Sequence, residues 1–202
     1  MQNSLSLPKL QSRITPDSHA HPDAALIARI AAGDRGALGL LFARHRVRVY
    51  RFVLRLVNNA ANADDLTSEV FLDVWKQAHR FEGRSQVSTW MLAIARHRAL
   101  SALRSRRDEQ LDEDLAAAIP DSADDAETLL HEQNKAAILR QCLAQLSPAH
   151  REIVDLVYYH GKSIADVAEI TGAPEATVKT RMFYARKRLA VLLDARGFQA
   201  AA

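Results

Sequence analysis

Residues 163–193 read SIADVAEITGAPEATVKTRMFYARKRLAVLL, and this stretch decides the fold. Ser163 stands where it can cap a short helix over Ile164 to Ile170, and Thr171-Gly172 ends that helix, because glycine takes up the left-handed backbone of a C-cap without a Cβ clash. Pro174, with its φ already fixed, sits where a second helix can start, running from Glu175 to about Leu193. Two helices across a tight glycine turn form a helix-turn-helix. Ala168, Gly172 and Val178 stand at the spacing of that motif: a small residue where the helices cross, glycine at the turn, and a β-branched residue that locks the second helix.

On the second helix Val178, Met182, Ala185 and Leu189 fall on one apolar stripe. The other faces carry Lys179, Thr180, Arg181, Phe183, Tyr184, Arg186, Lys187 and Arg188. A recognition helix enters the major groove by its N-terminal turns, so Lys179, Thr180 and Phe183 are the base-edge candidates. Arg181, Arg186, Lys187 and Arg188 are then expected to hold phosphates. A basic, solvated bundle helix would have the same charge; the turn spacing is what favours DNA.

Working outward, helical periodicity resumes upstream from Leu129 through Ile138, Leu143, Leu146, Ile153 and Leu156, which predicts a second helical domain over 129–195 with a tail at 196–202. Before it, residues 108–128 carry nine acids and no Lys or Arg. With Pro120 inside, such a run cannot bury enough apolar surface to offset its ordering entropy, so it is expected to be a flexible acidic linker. Residues 24–107 repeat apolar side chains at helical spacing and predict a first helical bundle. Residues 1–23, polar with three prolines, are expected to be a disordered extension and not a signal peptide. The predicted fold is all-α: two small helical domains joined by the linker.

Two stretches of the first domain stand out. In 63–75, Leu66, Val70 and Val74 stack toward a core, leaving Asp65, Ser68, Glu69 and Asp73 as an expected outer polar stripe that suits a basic partner. In 81–90, a glycine-containing loop leads into a helix that Ser88 is expected to cap, running from Thr89 to about Arg106. Trp90, His97 and Arg104 line up along that helix, a set able to hold unstacked bases and backbone. Phe71 and Trp75 are expected in the core.

The composition limits the alternatives. One cysteine, Cys142, rules out an intrachain disulfide, fits a reducing cytosol, and is expected to be buried and inert. No apolar run approaches bilayer length, so no direct membrane insertion is expected. The eight histidines are scattered without metal-ligand spacing, and no phosphate loop or catalytic signature appears. Neither metal, cofactor, small-molecule substrate nor catalytic residue is expected, and the chain is read as no enzyme.

Three strings in order, DDLTSEVFLDVWK at 64–76, RFEGRSQVSTWMLAIARHRALSALRSRR at 80–107 and LSPAHREIVDLVYYHGKSIADVAEITGAPEATVKTRMFYARKRL at 146–189, resemble the extracytoplasmic-function (ECF) sigma factors of bacterial RNA polymerase. The resemblance spans about residues 24–193. It implies a region 2 bundle and a region 4 helix-turn-helix that bring promoter specificity and DNA opening to core polymerase. By resemblance, Asp65, Ser68, Glu69 and Asp73 meet the β′ clamp coiled coil, and the second domain also meets the β flap. Phe81, Gly83, Arg84, Ser85 and Ser88 pocket a flipped minus-10 base, and Trp90, Arg96, His97 and Arg104 follow the non-template strand. Lys179, Thr180, Arg181, Phe183, Tyr184, Arg186 and Lys187 read the minus-35 element. His97 replaces the family's usual Asn, Ser68 its usual Gln, and Lys179 a common Arg, so a point contact stands where a fork is frequent. The resemblance also implies a cytoplasmic, nucleoid protein controlled by an anti-sigma factor, sometimes held at the membrane by it, with the linker near the polymerase cleft.

Two other classes fit parts of this pattern. A conventional helix-turn-helix regulator would bind duplex by itself and ignore polymerase; a protein-only adaptor would tolerate loss of Lys179 and Arg181.

Overall fold

The computed structural model describes residues 22–110 and 130–196. Of the extension expected at 1–23, the linker expected at 108–128 and the tail expected at 196–202, residues 1–21, 111–128 and 197–202 lie outside the described residues, as does residue 129. Within them the chain is all-α, with no strand.

The first module comprises α1 (Pro22–Ala31), α2 (Arg35–Val57), α3 (Ala60–Gln77), a 3-10 turn (Ala78–Arg80) and α4 (Val87–Gln110). Local chemistry sets each boundary. Asp34 caps α2 by accepting from the Ala37 N–H at 3.0 Å. Asn58, left-handed at φ 50°, ends α2, and Asn59 caps α3 by accepting from the Asn62 N–H at 2.9 Å. Between these helices Ile27, Ile30, Leu41, Val49, Phe52, Val53, Val70, Val74 and Met91 are almost wholly buried. Each such side chain contributes about 1.5–3 kcal/mol, so the interior and not helix propensity holds the bundle together.

The second module comprises α5 (Leu130–Ala144), α6 (Pro148–Tyr158), α7 (Ile164–Thr171) and α8 (Glu175–Asp194). Ser147 caps α6 with Pro148 in its first turn. Arg151 of α6 donates to the carbonyls of Leu143, Ala144 and Leu146, satisfying the orphan acceptors at the end of α5. Ser163 and Asp166 close a reciprocal capping box on α7, and Gly172 at φ 67° turns the chain into α8. Ile153, Leu156, Val167, Val178, Met182 and Ala185 form the interior, and this buried cluster is continuous with that of the first module.

Several boundaries differ from expectation. Ser88 does not cap α4: the helix begins at Val87, with the Gln86 carbonyl accepting from Thr89 and Trp90. At its other end α4 runs on to Gln110, into the first acidic residues assigned to the linker. Asp23, assigned to the extension, is a buried anchor of α1, in contact with Arg44 and 2.8 Å from His45 Nε2. Burial raises the Asp23 carboxyl, but hydrogen bonds from Arg44 and His45 outweigh it and hold its pKa below the usual range.

Candidate nucleic-acid and polymerase interface

The face of α8 follows from its stripe. Val178, Met182 and Ala185 are buried and Leu189 is packed against them, which turns Lys179, Thr180, Phe183, Tyr184, Arg186, Lys187 and Arg188 to solvent. Phe183 is 62% exposed and meets the Tyr184 ring edge-on at 5.4 Å. Arg186 lies over Tyr158 at 5.7 Å, and Lys179 pairs with Glu175 at 3.4 Å. Thr180 donates back to the Ala176 carbonyl at 2.9 Å, and Arg181 is half-buried.

On α3, Leu66, Val70 and Val74 are buried and Asp65, Ser68 and Glu69 are exposed. The fourth member of the expected stripe is not there. Asp73 is 7% exposed and both its oxygens accept from Arg98 of α4, because its position turns it to the seam between helices. The same guanidinium reaches Glu69 at 3.2 Å, so Arg98 braces the acidic face from behind. Beside Asp65 an open groove of about 250 Å³ is lined by Val57, Leu66, Ala102 and Leu103.

The start of α4 and the loop before it make a third surface. Phe81 packs on Trp90 at 5.2 Å, Gly83 turns the loop at φ 70°, and Arg84 pairs with Glu82 in solvent. Trp90 is half-buried against the interior while His97 and Arg104 are exposed farther along. Ser85, Ser88 and Arg96 are occupied by the second module. Ser85 donates to Glu169 at 2.6 Å, Lys162 donates to Ser88 at 2.6 Å, and Arg96 grips both oxygens of Glu152 at 2.7 and 3.3 Å.

The residues of this surface match Sigma-70 region 2 over 41–109, and α5 through α8 match Sigma-70 region 4 over 136–189. The ECF RNA polymerase sigma factor SigK of Mycobacterium sp. (strain KMS) is 30% identical over 163 residues, covering 78% of this chain and 83% of that one. The chain belongs to the ECF sigma factors. SigK of Mycobacterium ulcerans (strain Agy99) is 29% identical over 175 residues, 85% of this sigma factor and 93% of that chain. Among solved structures, CnrH in complex with the cytosolic domain of CnrY has TM-score 0.62 at 25% identity, covering 86% of this chain and 97% of that one. RpoE of Bartonella quintana in complex with the anti-sigma factor NepR has TM-score 0.62 at 26% identity, covering 77% and 96%.

Thr89, Glu152, Lys162, Asp166 and Glu169 carried no signal in the sequence of this sigma factor, yet they join its two modules. Lys162 is only 6% exposed and Thr89 fully buried. Burial pushes the Lys162 ammonium below the usual lysine pKa, while Asp166 and Glu169 pull it back. Cys142 is buried, with Arg196 donating to its sulfur at 3.3 Å. Among the described residues there is no cluster of three His, Cys, Asp or Glu able to hold a metal, and no helix long and apolar enough to cross a membrane.

Proposed function

We propose that this ECF sigma factor binds core RNA polymerase and directs promoter-specific initiation, catalysing no reaction itself. Asp65, Ser68 and Glu69 offer acceptors and negative charge to the clamp coiled coil of β′, with Asp73 acting behind them through Arg98; the second module meets the β flap. Lys179, Thr180 and Phe183 read minus-35 base edges, with Arg181, Tyr184, Arg186 and Lys187 along the backbone. The loop of Phe81, Gly83, Arg84, Ser85 and Ser88 takes a flipped minus-10 base, and Trp90, Arg96, His97 and Arg104 carry the unpaired strand. Unstacking costs a few kcal/mol per step, and stacking on an aromatic platform returns about 1–3 kcal/mol per base, so capture offsets opening.

The observation that carries this reading is the order of surfaces on one chain: an exposed acidic face on α3, then an aromatic and cationic helix α4, then an open basic recognition helix α8. An anti-sigma partner is supported by the complex of RpoE with the anti-sigma factor NepR. The protein would act in the cytoplasm at the nucleoid, or be held at the membrane by such a partner.

Run-off transcription with purified core polymerase tests this. A promoter-dependent transcript that needs both this chain and core is expected; its absence across a promoter library refutes the proposal. Duplex binding by the free chain, indifferent to core, would instead identify a conventional helix-turn-helix regulator.

A further inference from the structure

Part of the surface assigned to strand capture, at Ser85, Ser88 and Arg96, is covered in the free chain, and what covers it is largely acidic. Along α6 and α7, Glu152, Asp155, Asp166 and Glu169 all face the first module. Glu152 takes the Arg96 guanidinium in a fork, Asp155 lies against Arg55, Asp166 accepts from Thr89 at 2.9 Å, and Glu169 accepts from Ser85 at 2.6 Å. Lys162 fills the seam between them, donating to Ser88 and Thr89 at 2.6 and 2.9 Å. The contacts join residues 56 to 100 positions apart, so they pair the two modules and not neighbours on one helix. A row of carboxylates on arginine and hydroxyl donors is the pattern that a phosphate backbone would make there.

We propose that the α6–α7 face of the second module is a nucleic-acid mimic that clasps the strand-capturing surface in cis, so that the closed chain and a captured minus-10 strand exclude one another. The proposal rests on the assignment of α4 and its loop to strand capture. Ser85, Ser88 and Arg96 cannot hold the second module and a DNA strand at once.

Neither Asp155 oxygen nor either His160 nitrogen has a well-aligned hydrogen bond, although Arg55 and His160 stand at ion-pair distance from Asp155. Buried charges with incomplete hydrogen bonding retain much of their desolvation cost. A partner that binds only the parted modules shifts the chain to the open state by its differential affinity for that state.

Lys162 reports the closed state. Its amine is buried by the first module, whereas the Lys179 side chain is 64% exposed. In the full-length free chain, acylation by an N-hydroxysuccinimide ester, read residue by residue by mass spectrometry, is expected to be at least about tenfold slower at Lys162 than at Lys179. Glu152→Arg should remove most of that difference, and Arg96→Glu combined with Glu152→Arg should restore it by reversing the pair. Glu169→Arg, on an exposed position, should open the clasp partway without touching the interior of either module. Equal rates in the unmodified chain, or failure of the charge swap to restore protection lost in Glu152→Arg, overturns the proposal. Neither result bears on core-dependent transcription, so the clasp can fail while the assignment as initiation factor stands.

Discussion

The two surfaces of this sigma factor proposed to bind nucleic acid are built alike and displayed differently. Each combines aromatic rings with cations on a helix. On α8 the rings stand open, Phe183 at 62% and Tyr184 at 54% exposure, because the helix buries only its Val178–Met182–Ala185 stripe. On α4 the ring of Trp90 is half-buried against the interior, and Arg96 is occupied by a carboxylate from the other module. On the proposed assignment the minus-35 face of α8 is open in the free chain, whereas Ser85, Ser88 and Arg96 of the strand-capturing surface are freed only after the modules part. On that proposal duplex is addressed without premature melting, and melting is reserved for the assembly that spaces the modules.

The contrast is broken most strongly by equivalent truncations on the two helices. Trp90→Ala should lower the stability of the chain by about 2–4 kcal/mol in denaturant unfolding, because its ring packs on Phe81 and the core. Phe183→Ala should leave stability within about 0.5 kcal/mol. A comparable loss at both positions would mean that the α8 ring is structural.

Acidity acts on the covered surface through His160. His160, side chain 3% exposed, meets Phe52 edge-on across the module boundary. Burial, with the charges of Arg55, Arg48 and Lys162, lowers its pKa from 6.5 to about 4, and the Asp155 carboxylate at 3.3 Å works against them. Between those values the unfolded or opened chain takes up a proton that the closed chain refuses. Closed-state stability is therefore present above pH 6.5 and declines as pH falls through this window, by on the order of 2 kcal/mol near pH 4.5. Unfolding free energies measured from pH 7 to 4.5 should show this slope, and His160→Gln should flatten it.

On the open surface the effects are on transcription and salt. Phe183→Ala should reduce minus-35-dependent initiation about tenfold, in line with roughly 1–3 kcal/mol for one base-edge contact. Smallest of all, Lys187→Ala should weaken promoter binding of the holoenzyme equally across sequences and reduce the magnitude of the salt slope by about 1. Sequence-selective weakening at Lys187 would move it from the backbone to a base edge.

What could be read in the sequence was what local chemistry encodes. The Ser163 cap, the Gly172 turn and the α8 stripe are short-range signals, and α7 and α8 lie where they point. The α3 core triplet was legible for the same reason, but the periodicity that placed Asp73 on the outside did not specify that Arg98, 25 positions away, would draw it into the seam. Asp23 was hidden in a proline-containing stretch whose composition resembles an extension, and its partners Arg44 and His45 lie on another helix. The cis clasp was invisible altogether. Glu152, Lys162 and Glu169 look like ordinary solvated charges until the fold brings Ser85, Ser88 and Arg96 against them.

The chain is expected to find and open promoters only when core polymerase holds it. The most direct measurement is fluorescence of a base analogue in the minus-10 non-template strand of a promoter duplex, with chain alone, core alone and both together. The account predicts a rise only with both, lost when Asp65 and Glu69 are replaced by alanine. A rise with the free chain alone, or one unaffected by the loss of those two carboxylates, would contradict it.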